Sequence, residues 1–343
     1  MPEEAVANVW PFSKLPIDVV LLIFQWGALL SHELGLSISR VCKEARKLAF
    51  PHVFQTIFIS DADYQLLASP NLPYPTLVEN LWFDPPTRGQ IHCPMYIRGC
   101  DFLHQPHLSN IIKIAVSNAF ALRALNCDPS THQGSALSNL ASCQYLTFFD
   151  FDDVWNFNTP SKISTFVFEN ITHLQIFWST FSDRDNHRGM DCMGRIIVLC
   201  NALTHLAIDA PELCIQPSLL TRYRDMLADT KKKRARDITA VVLMVDWHRW
   251  IGNHPENRQI AWETFFQLVF SATSKTDGYM SIVHWGSSLK SERKWSRSGS
   301  SAAAVRALWK HEAVGGETVW ELGSRKASYA RWLAEESGWV AKF

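Results

Sequence analysis

The chain has 343 residues, of which 47% are hydrophobic, and its formal net charge at pH 7 is zero. A mean hydropathy of −0.07 and a pI of about 7.2 are typical of a globular protein with a sizeable core. The neutral balance excludes a general electrostatic attraction to nucleic acid or to an anionic membrane, and we predict neither as a partner.

The chain begins with an acidic tail, residues 1–12, which lacks the basic-then-apolar layout of a signal peptide. Leu15-Pro16 then opens an apolar run that extends to Leu30. Pro16 suits the first turn of a helix, and the Asp18 carboxylate favours the helix dipole. The run is too short to span a bilayer, and we predict a cytoplasmic or nuclear protein.

Apolar residues occupy almost every face of this predicted helix. A helix that is hydrophobic all round must be covered by something else. The cover is either the rest of the chain, in which case Val19, Leu22 and Trp26 pack internally, or a partner protein. The sequence alone leaves both interpretations open.

The segment 13–50 resembles an F-box, the three-helix module that joins a substrate receptor to a cullin–RING ubiquitin ligase. The resemblance is carried by the Leu15-Pro16 start and by Val41-Cys42-Lys43-Glu44-Ala45-Arg46 on a second amphipathic helix. It implies that the module binds a Skp-type adaptor, which in turn binds a cullin scaffold. The adaptor-binding residues expected from the resemblance are Leu15, Pro16, Ile17, Val20, Ile23, Phe24, Val41, Cys42 and Arg46.

Beyond this module, a pattern of apolar-x-x-apolar-x-apolar recurs at intervals of about 24 to 35 residues. Each copy predicts a strand with period-two alternation. Thr-His-Leu occurs in two of the copies, at 172–174 and 204–206. The copies are 54–59, 78–83, 111–116, 143–148, 171–176, 203–208 and 238–243.

Helical patterns lie between the predicted strands, at 119–126, 135–142, 190–201, 219–232 and 258–273. Strands that alternate with helices predict an α/β fold with a parallel sheet. We interpret 51–285 as an irregular leucine-rich-repeat-like solenoid, and a closed, doubly wound α/β domain remains the alternative. The usual Asn ladder of leucine-rich repeats is not evident, so another group must satisfy the turns.

Aromatic and polar residues cluster where each predicted strand ends, as in Trp82-Phe83-Asp84 and Asp246-Trp247-His248-Arg249. Aromatic residues and Arg are enriched at binding hot spots, so these clusters predict a target-binding rim. The alternative is that the aromatics stack on one another at the end of the sheet. The residues proposed for target binding are Trp82, Asp152, Trp155, Trp178, Trp247 and Arg249.

The C-terminal part begins with a Ser-rich segment, 286–301, whose composition predicts a linker or long loop. Residues 302–343 contain four Trp residues and predict helices that form a cap over the last repeat. A basic run, 231–236, follows a predicted helix. It fits either a nuclear localisation signal or a solvated helix end.

No Cys-x-x-Cys pair occurs among the eight cysteines, and we found no catalytic motif in the chain. We therefore predict reduced thiols, no metal, no cofactor and no enzymatic activity. The resemblance implies a substrate-receptor subunit of an SCF-type ubiquitin ligase that binds an unidentified target protein. The alternatives are an interaction scaffold with a degenerate F-box, motivated by Ala45 where the family has Trp, and an α/β hydrolase or transferase.

Overall fold

The computed structural model describes residues 15–30, 32–59, 75–83, 110–116, 142–151, 166–178, 186–210, 213, 217–246, 264–265, 267–269, 271–272, 279–285, 302–313 and 315–325. It divides into two compact units, Met1–Ile57 and Phe58–Phe343. The described residues contain no helix long and apolar enough to cross a membrane. The fold is mixed α/β, with an N-terminal helical unit and a parallel sheet.

The described part of the first unit consists of helices α1 (Ile17–Leu30), α2 (His32–Ile38) and α3 (Lys43–Gln55). Their common core is small, because three of its four buried members are alanines. A Cβ on Gly35 would lie 2.7 Å from Val53 Cγ2, so a glycine is needed where α2 approaches α3. Because their facing side chains are small, the three helices can pack closely without a large apolar interior. The buried core residues are Ala28, Ile38, Ala45 and Ala49, with Phe24 packed against them.

Eight strands form one sheet, and their order in the sheet is their order in the chain. The six neighbouring pairs from the second strand to the eighth are all parallel. A doubly wound sheet reverses its strand order at a switch point, whereas this order has no reversal. The strands are β1 (Thr56–Ile59), β2 (Asn80–Phe83), β3 (Lys113–Val116), β4 (Tyr145–Phe151), β5 (His173–Trp178), β6 (His205–Asp209), β7 (Ala240–Asp246) and β8 (Met280–Trp285).

The seven predicted repeats coincide with β1 to β7, and the prediction of parallel strands is confirmed. A threonine ladder replaces the missing Asn ladder. The hydroxyls of Thr172, Thr204 and Thr239 each donate to a main-chain carbonyl of the preceding repeat, at 3.3, 3.2 and 3.0 Å. Two successive amides donate to each of these carbonyls as well, so the backbone at the start of β5, β6 and β7 is hydrogen-bonded to the preceding repeat.

The two faces of the sheet differ in chemistry. On the apolar face, Leu81, Ile114, Leu146, Leu174, Leu206 and Val241 lie in register across β2 to β7, and all are buried. The opposite face, which we call the mixed face, carries polar groups beside apolar ones. Its two rows in register are Asn80, Lys113, Tyr145, His173, His205 and Ala240, and Trp82, Ala115, Thr147, Gln175, Ala207, Val242 and Ser281.

The helices between strands are α4 (Phe166–Glu169), α5 (Asn186–Leu199) and α6 (Leu220–Lys232), with 3-10 turns at Pro75–Leu77 and Pro217–Leu219. The predictions of helices at 190–201 and 219–232 are confirmed. Within 258–273 the described residues 264–265, 267–269 and 271–272 are helical, and 119–126 lies outside the described residues. In the predicted segment 135–142, only residue 142 is described, and it lies in a turn.

One residue of the basic run at 231–236, Arg234, has a structural role. The guanidinium of Arg234 donates to the carbonyl oxygens of Ile197, Cys200 and Leu203, which end or follow α5. Lys231 and Lys232 form exposed ion pairs with Asp237 and Asp229, at 3.3 and 3.1 Å. One cation of the run therefore closes the C-terminus of a neighbouring helix, while the others face solvent.

The last described elements are α7 (Ala302–Ala313) and a helix over 319–325. They lie across the mixed face, since Val305, Trp309, Val319 and Trp320 share one buried cluster with residues from β2 to β8. The sequence predicted a cap over the last repeat, so their position differs from that expectation. We call residues 302–325 the C-terminal cover.

A positive-φ glycine and a capping box shape the cover. Gly315 has φ of +85° and reverses the chain after α7. The hydroxyl of Thr318 accepts from the Glu321 amide, and the Glu321 carboxylate accepts from the Thr318 amide at 2.6 Å. The Thr318 hydroxyl also donates to the Glu321 carboxylate at 3.0 Å, and the bonds that the Thr318 amide and hydroxyl donate to this carboxylate lower the pKa of Glu321. The cover is thus a defined helical hairpin with its own start and stop signals.

Candidate docking site

Large apolar side chains are exposed along one side of α1. Val19, Leu22, Ile23 and Trp26 follow the i, i+3, i+4, i+7 spacing of a single helical stripe, and Leu15 precedes them by one turn. Trp26 is 60% exposed and Leu22 is 52% exposed. We call these five residues the α1 ridge. Contiguous apolar surface of this kind marks a binding site in soluble proteins.

The opposite side of α1 explains why the ridge stays uncovered. Val20 and Ala28 are buried, and Phe24 packs against the small core of the unit. Gly27 lies close to α2, where a Cβ would meet Ile38 Cδ1 at 2.9 Å. One face of α1 is therefore used for packing on α2 and α3, and the ridge is the face that remains.

The structure separates the residues predicted for adaptor binding. Leu15 and Ile23 belong to the α1 ridge, and Pro16, Ile17 and Val41 are also exposed. Val20 is buried and Phe24 is half-buried, so these two support the fold from inside. The resemblance alone predicts both at the adaptor surface, and the structure instead places them on the packing side of α1.

Cys42 and Arg46 are exposed and also have structural partners. The Cys42 sulfur accepts the Ala45 amide at 3.3 Å, which makes it the N-cap of α3. The Arg46 Nε donates to the Ser39 carbonyl at 3.0 Å. Cys42 and Arg46 of the Val-Cys-x-x-x-Arg sequence thus stabilise the segment that connects α2 to α3.

One of the two interpretations of the apolar run predicts that three ridge residues pack inside the chain. These residues are Val19, Leu22 and Trp26. Their exposure contradicts that interpretation. The same i, i+3, i+4, i+7 spacing is visible in the sequence, but apolar neighbours at the other positions of α1 hide it. Leu34 on α2 is a further exposed apolar residue of this unit.

Among the six residues predicted for target binding, the structure describes the side chain of Trp82 only, and its burial differs from the prediction of an exposed rim residue. Trp82 lies within β2, not in a loop, and is fully buried on the mixed face. Its ring stacks on Phe149 with centroids 4.0 Å apart and faces Trp309 edge-on. Trp178 ends β5, with its side chain outside the description, and Asp152, Trp155, Trp247 and Arg249 lie outside the described residues.

The mixed face instead brings together residues that the sequence analysis did not select. Tyr145, His173 and His205 stack in a row, with ring centroids 4.2 and 4.3 Å apart. Trp320 meets His173 edge-on at 4.8 Å. Burial, together with the nearby charges of His205 and Lys113, lowers the pKa of His173 to about 4. Burial also lowers the pKa of His205.

The row continues into a buried polar network. Lys113 Nζ donates to Glu312 Oε2 at 2.9 Å, and Gln175 Nε2 donates to both Glu312 oxygens at 3.0 and 2.9 Å. The Val319 amide donates to Glu312 Oε1 at 3.1 Å, and the Thr147 hydroxyl donates to Gln175 Oε1 at 2.8 Å. The Glu312 side chain is fully buried, and its bonds to Lys113 and Gln175 attach the C-terminal cover to β3 and β5.

Within the described residues, no group of three or more His, Cys, Asp or Glu side chains is placed to hold a metal ion. Burial raises the pKa of the Cys143 and Cys200 thiols to about 12, so both stay protonated at neutral pH. Comparison of the chain with known proteins finds no matching family model, no matching curated protein and no matching solved structure.

Proposed function

We propose that the protein is a substrate receptor of an SCF-type ubiquitin ligase. In this proposal, the helical unit docks a Skp-type adaptor and the sheet unit carries the target. The observation that carries it is the α1 ridge, which leaves five large apolar side chains exposed in a unit that resembles an F-box. An exposed stripe of this kind suits the groove of a helical partner.

The position of the ridge in its unit supports docking through α1. The buried faces of α1, α2 and α3 already form a closed core, so a partner adds apolar contacts without reorganising the unit. Trp26 and Leu22 have the large side chains that dominate interface energetics when they become fully desolvated. Cys42 and Arg46, with their hydrogen bonds inside the unit, serve the shape of the docking module.

The order of the strands supports a leucine-rich-repeat-like solenoid as the target-binding part. The strands are parallel and follow chain order. Connections between parallel strands are right-handed as a rule, and in this order such connections would place the connecting helices on one side of the sheet. The threonine ladder links the four successive repeats of β4 to β7, as expected of stacked repeats. In this proposal, the sheet keeps a bound target near the enzyme that acts on it and so raises the effective concentration of the target.

Ala45 is where the chain departs from the F-box pattern, which has Trp. Ala45 is fully buried in the small core of the unit, so a Trp there would require a different packing of α1 and α3. The departure therefore concerns the inside of the module. The α1 ridge, on the outside, is compatible with it.

Adaptor capture by the purified full chain tests the proposal. We expect a Skp-type adaptor to bind, and the double variant Leu22→Asp with Trp26→Asp to lose about 30-fold or more in affinity, since two interface anchors become charged. The control is Gln25→Asp, which adds one negative charge to an exposed position of α1 outside the ridge. It is matched in charge to the single ridge variant Trp26→Asp, which is also expected to lose affinity. We expect the control to bind as the original chain does.

Two results would count against the proposal. One is a full chain that is folded by circular dichroism and yet binds no Skp-type adaptor. The other is a ridge variant that binds as well as the Gln25→Asp control. The first result would favour an interaction scaffold with a degenerate module, and the second would move the docking surface away from α1.

A further inference from the structure

The mixed face of the sheet is an unusual surface to keep buried. It encloses the Lys113 ammonium, the Gln175 amide and the Thr147 hydroxyl in the middle of a parallel sheet. The other face of the same strands is covered by apolar side chains alone at the corresponding positions. Polar groups on one face only indicate that this face recognises something with polar groups of its own.

What it recognises in the folded chain is the C-terminal cover. Val305, Trp309 and Glu312 lie along one side of α7 and are buried against the sheet. Trp309 contacts Trp82 and Phe58, with ring centroids 5.5 and 5.7 Å apart, and Trp320 contacts His173. A single carboxylate, Glu312, occupies the site lined by Lys113 and Gln175.

A buried ion pair is a poor way to hold a permanent cover. Its Coulomb attraction barely offsets the loss of hydration, and apolar residues of similar size are often as stable or more so. The cover also encloses the indole N–H groups of Trp82, Trp309 and Trp320 without an acceptor among the described residues. The contact therefore favours specificity over maximal stability.

The close approach of Gly323 shows how finely the cover is fitted. A Cβ at this position would lie 2.6 Å from Ser281 Oγ and 2.8 Å from Val242 Cγ2. The helix over 319–325 thus meets β7 and β8 at a point where only glycine is tolerated. A substitution there would push the cover away from the sheet and leave every residue of the strands unchanged.

We propose that the mixed face is the target-recognition surface, and that the C-terminal cover occupies it as an intramolecular stand-in for a target segment. The target would be a helical peptide with a large aromatic residue and a carboxylate one turn apart, as Trp309 and Glu312 are on α7. This inference rests on the proposed function for the existence of a target. A covalently attached segment competes at an effective concentration on the order of millimolar, so a target must bind well or be helped by release of the cover.

Binding of a labelled peptide of residues 302–325 to full-length chains tests the inference. The wild-type chain is expected to bind it weakly, because its own cover occupies the site. A chain with Gly323→Ala is expected to bind the peptide at least about tenfold more tightly, since a larger fraction of molecules has the face open. A peptide that itself carries Gly323→Ala is expected not to bind.

Charge reversal tests whether Lys113 is the group that binds the Glu312 carboxylate. A chain with Lys113→Glu places two carboxylates together and is expected to release its cover, to reject the wild-type peptide and to bind a peptide with Glu312→Lys. The matched control is Lys233→Glu, an exposed cation at the end of α6, which is expected to behave as wild type. Equal binding of both peptides by the Lys113→Glu chain would overturn the proposal.

Hydrogen exchange of the wild-type chain gives a measurement that needs no variant. The amides of 302–313 are expected to exchange through an opening that leaves β4, β5 and β6 protected. Exchange of the cover at the same free energy as these strands would mean that it opens only when the whole unit unfolds, and the proposal would be wrong. Because no adaptor is present in these measurements, their failure would leave the docking role of the α1 ridge untouched.

Discussion

The N-terminal unit leaves Trp26 and Leu22 on its surface, whereas the larger unit encloses Lys113 and Glu312 in its interior. Each arrangement is the reverse of what a protein chain normally does with these residue types. The two regions differ in whether these side chains have favourable partners within the chain. The buried charges are paired and hydrogen-bonded within the chain, whereas the ridge has no such compensation inside its own unit.

This comparison teaches that exposure and burial are equally informative when they contradict residue type. An exposed apolar stripe indicates a partner from outside, because water alone does not favour it. A buried ion pair indicates a partner already in place, because neither charge is stable there alone. The following predictions test whether the two regions differ in this way.

The largest expected effect separates two tryptophans. Trp309→Ala should lower the free energy of unfolding by about 3–5 kcal/mol, because a fully buried ring is replaced by a cavity. Trp26→Ala should change it by no more than about 0.5 kcal/mol, because its ring already faces solvent. Urea denaturation followed by circular dichroism measures both. Similar losses in the two variants would show that the ridge is packed within the chain.

The next effect concerns the enclosed ion pair. Lys113→Met removes the cation and leaves the Glu312 carboxylate buried with neutral donors only, so we expect a loss of about 3 kcal/mol. Adding Glu312→Gln should recover much of it, because no charge is then left in the interior. Urea denaturation of the two single variants and the double variant forms a cycle, and strictly additive losses would mean that the pair is not coupled.

The smallest effect is a dependence on pH. Since the folded-state pKa of His173 is lowered to about 4 from an ordinary value of 6.5, protons bind the unfolded chain more tightly. The contribution of neutral His173 to the free energy of unfolding is therefore fully present above pH 6.5. It is lost as the pH falls from about 6.5 toward 4. Urea denaturation at several pH values should show this loss, and His173→Phe should reduce it. An identical slope in both proteins would contradict the assignment.

Much of the fold could be predicted from local pattern. Strands β1 to β7 follow one repeated apolar spacing, and α5 and α6 follow helical spacing, so their prediction required only neighbouring residues. Strand β8 was missed because Asp277 stands where the first apolar residue of the pattern is expected. The Thr-His-Leu repeat is visible in the sequence, but the sequence does not show what its threonines bind. In the structure, each hydroxyl donates to a main-chain carbonyl of the preceding repeat.

The candidate sites could be predicted less well, for a physical reason. The exposure of α1 depends on which of its apolar faces the alanine core uses, and the sequence shows apolar residues on all of them. The burial of Trp82 depends on Trp309, more than 200 positions later, and Lys113 and Glu312 are 199 positions apart. Alternation along a strand shows that a residue faces one side, but not what covers that side.

The threonine ladder has a consequence for how such a chain can grow. Each hydroxyl reaches back by a single unit, from Thr204 to Thr172 and from Thr239 to Thr204, so a duplicated unit brings its own link and accepts that of the next. An extra unit inserted between β3 and β5 would separate Lys113 from Gln175, which jointly hold Glu312. One inserted after β6 would leave that grip intact but would shift β7 and β8, which meet the same cover at Gly323. The cover therefore limits duplication along the whole stretch of sheet that it contacts.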